Sequence, residues 1–342
     1  AYATNYLQSI SPIPLLIGID GEWGLSMRLD STLKFPRQMG IGAIPDEKLL
    51  KEMGRIVARN CKTLGIHVNF APDADINNNA NNPVIGDRSF GEHKSLVTIK
   101  SLAYLAGMQE EGLLTTIKHF PGHGDTEIDS HEDLPTLKFD KTRLDTLELF
   151  PFKFLINHGA NGVMVAHLNV PALDSSGKPA SLSPKIINYL LKEKLGFKGL
   201  VFTDALNMKG VSKTYTKGTA ELEALKAGAD VLLYPNDIES AINLIINQMD
   251  SGFIDSNEVY LSVKKVLNAK YYAGLNNYKP INISKVRDEL NKPNDVKNRN
   301  LLVEESITIV KNDDLIIPLS EGRDKKIACI ATGFDESSPF QQ

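Results

Sequence analysis

Short apolar runs of strand length alternate along the chain with longer runs whose apolar residues recur at helical spacing. Pro14 to Asp20 (PLLIGID), Gly65 to Phe70, Leu114 to Lys118, Gly162 to Ala166, Leu200 to Thr203 and Ala229 to Leu233 are rich in Val, Ile, Leu or Thr and predict strands. The helices between them carry recognisable ends. Asp46 opens a run that stops at Leu64 before Gly65, and Lys94 to Glu111 stops before Gly112. Ser183 followed by Pro184 predicts an N-cap with proline at the first helical position, opening a helix that reaches Leu195. Thr219 to Ala227 ends at Gly228, and Asp237 to Met249 is followed by Gly252. Continuous apolar strands in alternation with helices mean a parallel sheet covered by helices, either a (β/α) barrel or a doubly wound sheet.

Polar residues crowd directly after the strands and favour the barrel. Asp20 and Glu22, Asp73 and Asp75, Lys118 and His119, His167 and Asn169, Asp204 and Asn207 all stand at such positions. In a barrel the C-terminal strand ends form one face, so these side chains would converge on one pocket. From Tyr278 the pattern turns polar and predicts a linker with one short helix over 276–300. Beyond it, SITIVKNDDLIIPL and KKIACIATG predict two new strands, so 1–275 reads as the barrel and 301–342 as the start of a second, unfinished α/β domain.

Composition narrows the function. Lys+Arg 38 against Asp+Glu 42 gives a net charge of −4, with no basic block to track a nucleic-acid backbone. No run approaches the 18 or so apolar residues of a membrane helix, so a soluble chain is expected, its compartment left open. Cys61 and Cys329 are too few for a disulfide framework or a cysteine metal site.

The densest chemistry lies in Lys118 to His131, KHFPGHGDTEIDSH, which holds three of the seven histidines. A zinc site is disfavoured there, because Pro121, Gly122 and Gly124 forbid the continuous helix a paired-histidine zinc motif requires. A mobile catalytic loop is the other reading. In Asp129-Ser130-His131 the carboxylate is close enough to hold the imidazole in one tautomer and raise its basicity, although a capped turn would share the pattern. Asp204 in FTDA is a nucleophile, a metal ligand or a helix cap. Arg88 in GDRSF offers a clamp for a polar ligand or one half of an ion pair, and Trp23 beside Asp20 and Glu22 is a ring on which a sugar could stack or a core residue. GxGxxG, GxxxxGK[ST] and GxSxG are all missing, which removes support for nucleotide, kinase and serine-hydrolase chemistry.

In this order, IDGEWG…R, NFAPDADI, GDRSFG, KHFPGHGDTEIDSH, VMVAHL and VFTDALNM resemble glycoside hydrolase family 3, in its bacterial β-N-acetylglucosaminidase branch, over roughly residues 6–275. The resemblance implies a TIM-type barrel and a retaining mechanism without metal or cofactor, acting on terminal β-linked GlcNAc with peptidoglycan fragments as a source. It implies Asp204 as nucleophile and His131, paired with Asp129, in place of the usual carboxylic acid/base. Asp20, Arg88, Lys118 and His119 match positions that hold sugar hydroxyls, and His167 lies at the rim. The family usually has glycine where Trp23 stands, and its first strand and helix precede the segment equivalent to Leu7–Pro14, so the barrel is expected to lack its first βα unit. The rivals are a phosphorylase or β-glucosidase of the same family, a non-catalytic sugar-binding barrel and a metal-dependent barrel hydrolase.

Overall fold

The computed structural model describes residues 1–130, 132–215 and 217–313. The chain divides into two compact units at Ile307/Thr308. The first carries five parallel strands, β1 (Gly18–Ile19), β2 (Val68–Asn69), β3 (Leu114–Phe120), β4 (Gly162–Val165) and β5 (Leu200–Thr203), hydrogen-bonded in chain order. Val231 adds a parallel bridge to Phe202, where a sixth strand was expected. A doubly wound sheet must reverse its strand order at a switch point, and this sheet does not. It is a parallel half-barrel.

Burial supports that reading. In β4, Met164 joins an inner apolar cluster with Val68, Leu114, Leu200 and Phe202, whereas Val163 and Val165 join an outer cluster under the helices. Successive residues thus face inside and outside, as the pleat dictates, and both faces are apolar. No helix among the described residues is long and apolar enough to cross a membrane.

The helix ends follow local chemistry. Asp46 caps Glu47–Thr63 by accepting the Lys48 N–H at 2.9 Å, and Gly228 ends Thr219–Ala227 with φ 103°. Glu47–Thr63 buries Leu50, Met53, Val57 and Cys61 on one face against Lys94–Glu110. Asp237 caps Ile238–Asp250 by accepting the Ser240 N–H at 3.0 Å. The helix expected from Ser183 is Lys185–Lys194, wound as a π-helix behind Pro184, with Ser183 Oγ accepting the Ile186 N–H at 3.3 Å.

Three expectations need correction. Strands β1 and β2 pair over two residues each rather than six or seven, and His67 Nδ1 instead takes the Ile17 N–H at 3.1 Å. Residues 276–300 are no open linker. They lie in and around two helices, Ile283–Leu290 and Pro293–Glu305, which bury Leu290 and Leu302 in the core and set Asp295 3.3 Å from Arg59 on Glu47–Thr63. Four apolar side chains, Val286 and Leu290 one turn apart on the first helix and Val296 and Leu302 on the second, suffice to dock a polar segment. Finally, residues 306–313 form no strand, and the remainder of both strands expected there, with Cys329, lies outside the described residues.

Candidate active site

The ends of β1, β3 and β5 and the segment after β2 bring Asp20, Glu22, Arg88, Lys118, His119, His123 and Asp204 around one cavity of about 330 Å³. Lys118, buried at the end of β3, is 2.8 Å from Asp20 and 2.8 Å from Glu22. Arg88 grips Glu22 with two bonds, Nη2 to Oε1 at 2.7 Å and Nε to Oε2 at 3.0 Å. Burial alone would favour the neutral carboxylic acid at Glu22, but Lys118 and Arg88 outweigh it and hold the group far below the usual carboxylate range. Fully enclosed, Glu22 fixes the two cations rather than meeting a ligand. Asp20 differs: it also bonds Arg28 at 2.9 Å, and its side chain stays 32% exposed. Burial opposes its charge and Lys118 restores it, so Asp20 presents an ionised, reachable acceptor.

Beneath them Asp75 staples the next stretch of chain. Its carboxylate accepts His119 N–H at 3.1 Å, His119 Nδ1–H at 2.7 Å and His123 N–H at 2.7 Å. Despite complete burial, these donors and imidazoles keep Asp75 below its ordinary value. His119 Nε2 then faces Arg88 Nη2 at 3.2 Å, and since a guanidinium only donates, Nε2 accepts. Asp73 contrasts with its neighbour. Burial first, and then the charge of Asp75, push its carboxyl well above the ordinary range, and its Oδ2 has no hydrogen-bond partner. Asp73, Asp75 and His119 bring ligand atoms within 4.8 Å of one another, a spacing a metal ion could use. In this cluster the Arg88 guanidinium, 3.8 Å from Asp73, already supplies positive charge, and the His119 Nδ1 proton is spent on Asp75.

The histidine-rich loop is anchored at several points. His123 is bonded through Nδ1 to Thr126 Oγ1 at 2.8 Å and through Nε2 to Ser130 Oγ at 3.1 Å. Burial, then neighbouring His119, push its pKa down to about 4, so it is neutral at neutral pH. The Asp129 carbonyl accepts the N–H groups of Glu132 and Asp133 at 2.9 and 3.0 Å, and Asp125 is held by Asn78 and Arg143, both at 2.9 Å. Asp129 is half-buried in this turn. His131 itself lies outside the described residues.

Gly124 sets the loop against the segment after β2. A Cβ there would stand 1.8 Å from the Ile76 carbonyl oxygen. Gly124→Ala should therefore push the loop off its seat, lowering turnover at least about tenfold and stability by about 1–3 kcal/mol. Parental turnover together with parental melting would show that the loop's seat does not matter.

Asp204 follows β5, its N–H donating to the Val165 carbonyl at 3.0 Å and its Oδ1 accepting the Ala205 N–H at 2.8 Å. Burial opposes its ionisation, but His167, His119, the Ala205 N–H and Lys118 together hold it below its ordinary value. His167 does not stand at the rim as expected. It is fully buried behind this turn, its Nε2 donating to the Ala205 carbonyl at 3.0 Å and its Nδ1 hydrogen-bonded with Ser181 Oγ at 2.7 Å. Its ring supports the peptide after Asp204. Trp23 lies against the core with Arg37 4.5 Å over its ring and does not line the cavity. Tyr234 does line it and carried no motif in the sequence; Glu22, Asp73 and Asp75 were visible as carboxylates after strands, but not as the buried frame of the site.

Fold and site define a half-barrel α/β protein whose strand ends deliver carboxylates and cations to one pocket, an arrangement suited to a ligand rich in hydroxyl groups. The chain belongs to glycoside hydrolase family 3: the Glycosyl hydrolase family 3 N terminal domain matches residues 1–269. It is 37% identical over 262 residues, covering 70% of this chain, to beta-hexosaminidase A of Pseudoalteromonas piscicida, and spans 44% of that protein's length. Among solved structures, a family 3 beta-N-acetylglucosaminidase from Paenibacillus sp. str. FPU-7 superposes with a TM-score of 0.83 at 38% identity, covering 88% of this chain and 59% of that one. A beta-glucoside phosphorylase bound to 2FGlc gives a TM-score of 0.86 at 26% identity, covering 93% of this chain and 59% of that one.

Proposed function

We propose that the protein is a retaining β-N-acetylglucosaminidase that hydrolyses terminal β-linked GlcNAc, with peptidoglycan fragments as its source of substrate. The observation that carries this reading is the shared cavity of ionised Asp204 and the Asp20–Lys118–Arg88–His119 cluster. Asp20 accepts from sugar hydroxyls, and Lys118, Arg88 and His119 complete the polar wall. Asp204 attacks the anomeric carbon to form a glycosyl-aspartate while His131, oriented by Asp129, protonates the departing oxygen. The same imidazole then takes a proton from water, which releases the sugar with its configuration retained. None of these steps calls for a metal or cofactor.

Two features of architecture belong to this proposal. Among the described residues β1 pairs only with β2, and the Val231 bridge only with Phe202. With six strand positions present, a first βα unit added between these two edges would bring the half-barrel to seven, one short of the eight of a full TIM-type fold. Of residues 301–342, expected to open a second α/β domain, 301–305 belong to the helix Pro293–Glu305, and we assign those from 308 onward to that domain.

The rival within the family is phosphorolysis. Histidine as acid/base would spare an incoming phosphate dianion the repulsion of a carboxylate. Against it, residues 121–135 hold no Lys or Arg. The flanking Lys209 and Lys213 are paired with Glu132 and Asp133 at 2.7 and 3.5 Å. Assays on nitrophenyl β-GlcNAc with and without millimolar phosphate separate the two. Free GlcNAc at an unchanged rate is expected; GlcNAc-1-phosphate at a phosphate-dependent rate would make the enzyme a phosphorylase. The β-glucoside should react much more slowly, and comparable kcat/KM on both sugars would refute the N-acetyl preference.

A further inference from the structure

The cavity has a second wall, made by Met27, Phe70, Val84, Met164, Leu233 and Tyr234, to which the proposed chemistry gives no task. Tyr234 stands out in it for two independent reasons. Its φ is +45°, in the left-handed region that bulky side chains avoid. The residue is 70% exposed, although the hydrophobic effect favours covering an aromatic side chain. Ser31 and Lys217 are the other described non-glycine residues with positive φ, and neither lines the cavity.

The surrounding bonds hold Tyr234 in this conformation. Leu233 N–H donates to Thr203 Oγ1 at 3.0 Å, and the Leu233 carbonyl accepts the Leu206 N–H at 2.9 Å. On the other side the Asn236 side chain donates to the Leu206 carbonyl at 2.9 Å, and its backbone N–H donates to buried Glu221 at 2.8 Å. Tyr234 is thereby fastened to the turn that carries Asp204. Strain maintained by its surroundings at the edge of a site points to a task for the residue.

Position indicates which task. Lys118 and His119 are buried and form the deep end of the cavity, whereas Tyr234 is exposed at its mouth. A sugar seated against the polar residues with its anomeric carbon at Asp204 directs its substituent outward, past Tyr234. We propose that Tyr234 is the platform for the ring of the leaving group, and so a specificity-determining residue that favours a pyranose over a small alcohol; this rests on the glycosidase reading above. Aromatic faces suit pyranoses, whose axial C–H groups form an apolar side.

The test compares kcat/KM of the full chain on a disaccharide, GlcNAc β-linked to a second pyranose, and on methyl β-GlcNAc. Tyr234→Ala and Tyr234→Asn should lose about tenfold on the disaccharide, roughly what covering one ring face is worth, and little on the methyl glycoside. Tyr234→Phe should stay within about twofold of the parent on both. Asparagine tolerates positive φ, so Tyr234→Asn should melt at the parental temperature or about 2 °C higher, which a structural role for the ring would not allow. Equal losses on both substrates, no loss on either, or a Tyr234→Phe defect matching Tyr234→Ala would overturn the platform alone. A parent enzyme inert towards both would remove the glycosidase reading and the platform with it.

Discussion

Asp204→Asn is expected to lower turnover by on the order of 10⁴-fold or more, with melting close to the parent's. The substitution keeps the shape and the acceptor for the Ala205 N–H, 2.8 Å away, and removes only the charge that the proposed mechanism requires for attack. The other carboxylates at the site are engaged: Asp20, though ionised and reachable, is paired with Lys118 at 2.8 Å and Arg28 at 2.9 Å. Glu22 is enclosed by Arg88 and Lys118, Asp75 is occupied by three N–H donors, and Asp73 is buried with its carboxyl held toward the protonated form. A residual rate within about tenfold of the parent would mean that another group forms the bond to the sugar.

The second large effect is expected at His131. His131→Ala should cost about 10²- to 10⁴-fold on substrates whose leaving group is a sugar or alkyl alcohol, and much less on nitrophenyl glycosides, which leave with little protonation. Asp129→Ala should show a weaker form of the same bias. The neighbouring imidazole cannot substitute, because His123 is pushed down to about 4 and is engaged by Thr126 and Ser130. Its bond to Ser130 instead holds the residue next to Asp129 in place. Equal losses on both classes of leaving group would argue that His131 only shapes the loop.

Much of this site was legible in sequence because barrel geometry converts a one-dimensional cue into a three-dimensional one. Polar residues just past apolar strands end on one face, which is why Asp20, Lys118, His119 and Asp204 could be named before any coordinate and do line one cavity. The cue says nothing about where a side chain turns afterwards. His167 stands at such a position, yet its ring folds under Ala205, held by Ser181 fourteen residues on. The same limit hides Glu22 and Asp75, since only the fold reveals that they are enclosed by the cations and imidazoles they position.

Elements were read well where caps mark them and poorly where docking decides. Asp46, Gly228 and Asp237 mark helix ends through local hydrogen bonds or backbone conformation, so sequence suffices for them. Ile283–Leu290 and Pro293–Glu305 lie in a polar stretch and owe their place to a few buried side chains and the Asp295–Arg59 pair. Tyr234 escaped notice because Tyr-Pro after a strand reads as an ordinary turn. Its φ and its exposure are visible only in the structure.

The central claim is a covalent glycosyl-enzyme on Asp204. It is tested most directly by incubating the protein with a slow fluorinated β-N-acetylglucosaminide, digesting it, and locating the added mass by tandem mass spectrometry. One sugar per chain on the peptide containing Asp204, blocked by prior Asp204→Asn substitution, is the predicted result; a label on any other residue, or full turnover of the reagent by the Asp204→Asn variant, would contradict it.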